Sequence, residues 1–234
     1  MNQDFIPWYL RQEIVESYES WYQGPDGQRM DRLEKKVLRS LIEPLAPKNL
    51  LEIGAGTAHF TRWFEQELGL SMIGLDLSPL MLAEARKYWD GMLIQADAAA
   101  LPFVDKSFDA VAMITCFEYM PDPIKVLREA SRVARRGMII GLMNRWSVAT
   151  LRRRIQELMG KNPFYKNAHF YSLPEIQQLL KQALGDRIAE VRWGSTLFPK
   201  GIPIETARLP FGNFLGLAVH LQEVHDGTIP RGAG

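Results

Sequence analysis

The chain has 234 residues, 47% of them hydrophobic, and a formal net charge of +1. That length suits one sizeable α/β domain, and so even a charge balance gives no global field to favour a nucleic acid or a membrane surface. A single cysteine, Cys116, excludes an intrachain disulfide and fits a reducing, cytoplasmic setting. The first residues hold no basic stretch followed by an apolar core, so no secretory leader is expected. No apolar run approaches the roughly 20 residues of a membrane span. Locally the charge is uneven: Lys125 to Arg154 contains nine basic residues and one acidic residue, Glu129. Solvated helix faces account for such a stretch; the alternative is a landing area for an acidic substrate or partner.

Residues 8–22, rich in aromatic and charged side chains, are predicted to be helical, with Gly24, Pro25, Asp26 and Gly27 as a break. Met30, Leu33, Val37, Leu38 and Leu41 then fall at helical spacing over 28–43. Pro44 and Pro47 lead into a first strand at 49–54. A helix over 58–68 and a second strand over 71–76 follow. Ser78-Pro79 opens the next helix, with serine as N-cap and proline at the first helical position. A short strand over 92–96 ends at Asp97, and the continuous apolar run 108–116 is a buried fourth strand. Asp122-Pro123 starts a helix over 122–135, and Gly137 precedes a fifth strand over 138–143. This alternation implies right-handed crossovers and a parallel sheet.

After Asn144 the pattern changes. Helices are predicted over 147–159 and 172–184, the second opened by a Ser172–Glu175 capping box. Strands near 188–197 and 212–222 have no helix between them, so they are expected to form an antiparallel pair at one sheet edge. The expected fold is α/β and doubly wound, a seven-stranded, mostly parallel sheet with one antiparallel edge strand. A single domain would span 1–234, with a helical lid segment over 1–27, a helical insertion or lid over 145–184 and a disordered tail over 226–234.

The most informative stretch is Leu-Leu-Glu-Ile-Gly-Ala-Gly-Thr at 50–57, followed by Gly-Leu-Asp-Leu-Ser at 74–78. A strand enters a glycine turn, a helix follows, and a second strand ends on Asp76. That is the layout of a nucleotide-type site at the carboxyl ends of parallel strands. A dinucleotide site needs a third glycine where His59 stands, which counts against an NAD(P)-dependent oxidoreductase.

Further stretches narrow the reading: Met-Leu-Ala-Glu-Ala-Arg (81–86), Gln-Ala-Asp-Ala (95–98), Leu-Pro-Phe-Val-Asp-Lys-Ser-Phe-Asp (101–109) and Leu-Arg-Glu-Ala-Ser-Arg-Val (127–133). Together they resemble the class I S-adenosylmethionine-dependent methyltransferases, in particular small-molecule enzymes similar to quinone C-methyltransferases. The resemblance covers about residues 30–145 and implies a Rossmann-like methyltransferase fold that uses S-adenosylmethionine and releases S-adenosylhomocysteine. It implies that Glu52 holds the methionine ammonium and that Gly54, Gly56 and Thr57 form the turn around methionine and ribose. Asp76 would accept both ribose hydroxyls, and Leu77 and Met81 would pack on adenine. Asp97 and the Ala98 amide would read the adenine edge, with Cys116 under the cofactor. Ala58 replaces a commoner glycine, and its methyl is expected to be tolerated if the backbone there is already helical.

On the acceptor side the resemblance is silent. Tyr18, Trp21 and Tyr22 can lid the cofactor, and Glu118 and Tyr119 follow the fourth strand. His169 is the weak candidate for a base; a sulfonium methyl donor needs one only if the nucleophile must lose a proton. No Cys-x-x-Cys or His-x-x-x-His spacing supports a metal. The Asn/Asp-Pro-Pro-Tyr/Phe segment of amino-methylating nucleic acid enzymes is absent, since the fourth strand runs into Cys-Phe-Glu-Tyr-Met-Pro. A small-molecule acceptor is therefore expected, with RNA a minor alternative. The other class to separate is a module that binds the cofactor without transferring methyl.

Overall fold

The structure, a computed structural model, describes residues 7–158, 168–199, 201–202 and 204–222. The tail over 226–234 and part of the expected lid, 159–167, lie outside the described residues.

The N-terminal segment is not one helix. A 3-10 turn (Trp8–Leu10), helix α1 (Gln12–Tyr18) and a second 3-10 turn (Glu19–Gln23) succeed one another. Helix α2 (Pro25–Ile42) begins inside the glycine-proline cluster that was expected to be only a break. Gly24 caps it with an extended backbone and Pro25 takes the first helical turn, where a missing N–H costs nothing. Gly27 is the reason the corner can be so tight, because a Cβ there would stand 2.0 Å from the Trp21 carbonyl oxygen.

Strand β1 (Asn49–Ile53), α3 (His59–Leu68), β2 (Ser71–Asp76), α4 (Pro79–Ala85) and β3 (Met92–Gln95) follow. Then come β4 (Phe108–Ile114), α5 (Pro123–Val133), β5 (Ala134–Met143), α6 (Val148–Leu158) and α7 (Leu173–Leu184). Strands β6 (Ile188–Thr196), β7 (Thr206–Ala207) and β8 (Phe214–Leu221) close the described chain. The helix starts obey the caps read from sequence. Ser78 accepts from the Met81 amide, Asp122 from the Lys125 amide, and both halves of the Ser172–Glu175 capping box are formed.

The sheet order is β3-β2-β1-β4-β5-β8-β6-β7. The first five strands are parallel, and β8 runs antiparallel to both β5 and β6. The count is eight, not seven, because two-residue β7 pairs with β6 at the outer edge. The antiparallel strand β8 lies inside that edge, which explains its nearly continuous burial. Strands β1 and β4 are buried almost throughout because helices cover both sheet faces. Leu33, Val37, Leu38 and Phe64 pack on one face, while Leu127, Ala130, Ile176 and Leu180 pack on the other. Helix α7 is thus a core helix and not a lid. The strand order reverses between β1 and β4, so a crevice opens at their carboxyl ends.

Strand β5 starts four residues earlier than its apolar run suggests, and Gly137 lies within it, paired with Ala110 and His220. A Cβ at Gly137 would meet the Val219 carbonyl oxygen at 2.2 Å. Gly137→Ala is therefore expected to force β8 off β5 and cost about 1–3 kcal/mol of stability. Urea unfolding of the two proteins measures this, and an unchanged midpoint would contradict the packing described for this pair.

Candidate active site

The turn after β1 is built on left-handed backbone. Gly54 has φ +71° and Gly56 φ +54°, a region that side chains disfavour. A Cβ on Gly54 would also lie 2.5 Å from the Cys116 Cβ, so β4 passes directly beneath the turn. Ala58 departs from expectation. It is not helical but left-handed, at φ 62° and ψ 28°, and the helix proper starts at His59. An alanine there carries strain of roughly 1–2 kcal/mol.

Asp76 ties this turn to the end of β2. Its Oδ2 accepts from the Gly56 amide at 2.8 Å and its Oδ1 from the Ser78 amide at 2.8 Å. Burial raises the Asp76 carboxyl, and these backbone donors offset only part of that effect. Because a carboxylate oxygen offers two lone-pair directions, each still has capacity toward the cavity that Asp76 lines.

That cavity gathers all ten residues of the cofactor expectation: Glu52, Gly54, Gly56, Thr57, Asp76, Leu77, Met81, Asp97, Ala98 and Cys116. Glu52 is 1% exposed and accepts from the Thr61 hydroxyl. Burial pushes its carboxyl up to about 8 against the lowering effect of Thr61 and His59. Leu77 is exposed and Met81 buried, so they present two apolar surfaces at different depths. Asp97 Oδ1 accepts from the Ala99 amide at 2.8 Å, which orders the loop after β3. The Cys116 thiol points at the Ile53 carbonyl at 3.1 Å, and burial holds it well above its ordinary range. This is an unreactive thiol.

Of the four aromatic residues that form the cavity roof, sequence reasoning singled out Tyr18 and Tyr22 but not Trp8 and Tyr9. Trp8 and Tyr9 line it together with Tyr18 and Tyr22. The Trp8 ring stacks on Tyr18, with centroids 5.4 Å apart, and the Ser78 hydroxyl donates to the Tyr9 carbonyl at 2.6 Å. Below them lies a buried ionic network. Glu19 accepts from the Thr57 hydroxyl and from Arg62 at 2.9 Å, while His59 Nδ1 stands 3.7 Å away, at ion-pair rather than hydrogen-bond distance. Burial alone would raise the Glu19 carboxyl, yet His59, Thr57 and Arg62 bring it down to about 2. His59 Nε2 meets Asp31 at 2.6 Å, and its ring stacks on Tyr22 at 3.6 Å. The residue that broke the dinucleotide pattern is therefore a bridge between α2, α3 and the roof. No periodicity marks Glu19 or Asp31, whose partners are 38 and 28 residues distant.

The acceptor-side expectations divide. Tyr18, Trp21, Tyr22 and Tyr119 all line a second cavity beside the first. Glu118 does not line either cavity; it is 2% exposed and its Oε1 accepts from the Met143 amide at 2.5 Å. His169 lines neither cavity. Its half-exposed ring is held by Glu175 at 2.6 Å, at the start of α7. The capping-box carboxylate that fixes the helix also fixes the histidine away from the site. Within the described residues no cluster of His, Cys, Asp or Glu can hold a metal ion, and no helix is long and apolar enough to cross a membrane.

A family model described as "Methyltransferase domain" matches residues 51–141, which run from within β1 to near the end of β5. An uncharacterized protein of Methanocaldococcus jannaschii is 32% identical over 172 residues, 73% of this chain and 78% of that one. A demethylmenaquinone methyltransferase of Thermotoga maritima is 38% identical over 109 residues, 46% of this chain and 48% of the relative. Among solved structures, an S-adenosylmethionine-dependent methyltransferase of Thermotoga maritima, described as a possible histamine N-methyltransferase, superposes with a TM-score of 0.70. It is 27% identical, and the match covers 91% of this chain and 98% of that one. A glycine turn closed by Asp76, an eight-stranded sheet with its antiparallel β8 and these relatives agree: the chain belongs to the class I S-adenosylmethionine-dependent methyltransferases.

Proposed function

We propose that the first cavity seats S-adenosylmethionine through the residues named above, and that the second receives a small-molecule methyl acceptor. The observation that carries this reading is Asp76. Its two oxygens, each already oriented by one backbone amide, line a cavity at the carboxyl end of β2. Vicinal ribose hydroxyls supply the paired donors that such an oriented carboxylate accepts. Glu52 supports the same assignment, since it is a buried carboxyl whose hydrogen bond among the described residues comes from Thr61 alone. The ammonium of the cofactor is the charge that would ionise it.

Bound S-adenosylmethionine supplies an activated sulfonium methyl. The protein's own task is to align, enclose and exclude water. Asp76 and Glu52 fix the two ends of the donor, the glycine turn lets the backbone approach it, and the Trp8–Tyr18 stack closes the roof. Alignment of this kind is worth up to roughly 10⁵–10⁸ M in effective molarity. No carboxyl or imidazole is needed as a base unless the acceptor atom carries a proton to be lost. The match to the demethylmenaquinone methyltransferase of Thermotoga maritima covers less than half of either chain, so the acceptor is not taken from it. We assign the reaction to a reducing cytoplasm and to a small molecule rather than a nucleic acid, on the single free thiol of Cys116 and a net charge of only +1.

Asp76→Ala is expected to weaken S-adenosylhomocysteine binding, measured by calorimetry, by about 2–4 kcal/mol, since two charge-assisted hydrogen bonds are lost. Unchanged affinity would refute the ribose assignment. A second expectation follows from Glu52. Its folded-state pKa is raised, so the stability it contributes is present below the ordinary carboxyl range and is lost as pH rises through about 8. The free protein should melt at lower temperature at pH 8 than at pH 6, in part through this group. A cofactor ammonium beside Glu52 draws its proton off, so S-adenosylhomocysteine should bind more tightly at pH 8 than at pH 6. Glu52→Gln should flatten that dependence; a slope that persists in the variant would assign it to another group.

A further inference from the structure

The second cavity encloses about 580 Å³, within the usual range for small-molecule sites. It adjoins the first through Trp8, Tyr18, Tyr22, Thr115 and Tyr119, which line both. Among its lining residues is Glu34 of α2, only 7% exposed. Its neighbours on α2, Leu33, Val37, Leu38 and Leu41, are the apolar face that packs on the sheet. Glu34 makes no hydrogen bond or ion pair among the described residues. Burying a carboxyl without a partner is costly, and nothing in the fold needs an acid at this position.

The charges that face Glu34 do not neutralise it. Burial, then Asp31 and Glu118, push its carboxyl up to about 8, with Arg153 and Lys35 acting the other way. Lys35 is paired with Asp31 at 2.8 Å, and Arg153 donates to Asn213 Oδ1 at 2.8 Å. Glu118 adds a second acidic group nearby, its Oε2 buried without a hydrogen-bond partner among the described residues. The same cavity is lined by Trp8, Tyr18, Trp21 and Tyr22. An acid with no bonded cation in a cavity lined by aromatic rings is the chemistry that receives an ammonium: the acid gives up its proton, the carboxylate balances the charge and aromatic rings attract it.

We infer that Glu34 is the acceptor-recognition residue, and that the acceptor is a small amine with an aromatic or apolar body whose ammonium Glu34 holds inside the aromatic walls of the second cavity. This rests on the reading of the second cavity as the acceptor chamber beside the cofactor. The test uses the full chain saturated with S-adenosylhomocysteine. Calorimetry compares tryptamine, tyramine and phenethylamine with their neutral partners tryptophol, tyrosol and 2-phenylethanol at pH 7. At least one amine should bind tenfold or more tightly than its alcohol. Glu34→Gln, nearly the same shape, should reduce that preference to within twofold while S-adenosylhomocysteine affinity stays at the wild-type value. Equal binding of amines and alcohols, a preference that survives in E34Q, or no binding of any amine would overturn the inference. The wild-type comparison decides even if the variant fails to fold. Failure of the unmodified protein to bind S-adenosylhomocysteine would overturn the cofactor assignment, and this inference with it.

Discussion

The hydrogen bond from the Gly56 amide to Asp76 is the contact on which the site depends. It joins the turn after β1 to the end of β2, and so sets the separation of the two strand ends that frame the crevice. The turn can reach Asp76 only because Gly54 and Gly56 adopt left-handed backbone. It can sit low enough only because Gly54 has no Cβ to strike Cys116. Three strands, β1, β2 and β4, therefore converge on one small backbone loop. Ala58, strained at the foot of that loop, shows that the geometry is held by its surroundings rather than by local preference.

Above the loop, the N-terminal segment is fastened by charge rather than by apolar area alone. Glu19 and Glu52 are both buried carboxyls, yet they are driven in opposite directions, to about 2 and about 8. The difference lies in donors. Among the described residues Glu19 has Thr57 and Arg62 on its oxygens and His59 near by, whereas Glu52 has Thr61 alone. A carboxyl with several donors is a structural anchor, stabilising above its unfolded pKa and losing that effect as pH falls toward 2. A carboxyl with few donors, lining a cavity, is available to a ligand. Glu34 belongs to the second kind, and its neighbour Asp31, bonded to His59 and Lys35, to the first.

The two cavities differ in origin. The first is made mostly by strand ends and the turns after them, within the part of the chain matched by the family, and is roofed by the N-terminal segment. The second is made mostly by the N-terminal segment, α2, Arg153 of α6 and the start of β8, and shares Thr115 and Tyr119 with the first. On the proposed reading, the elements before β1 and after β5 contribute most of the acceptor cavity, and the segment between them most of the donor cavity.

By itself the sequence determined most of the local structure and singled out the residues proposed to hold the methyl donor. Caps, prolines and apolar runs located nearly every helix and strand, because hydrogen-bonding and burial periodicity act over a few residues. The ten residues expected around a cofactor line one cavity for the same reason, nearly all lying at a strand end or in the turn beside it, with Met81 in the first turn of α4. Only the tertiary structure decided what depends on contacts between distant segments. It showed β5 running through Gly137, α7 in the core, and His169 turned aside by Glu175. It also brought Glu19 to Thr57 and Glu34 into an aromatic cavity. A buried acid on a helix and a solvated acid on a helix look alike in sequence. What separates them is which side chains close around the carboxyl, and that is settled only when the chain has folded.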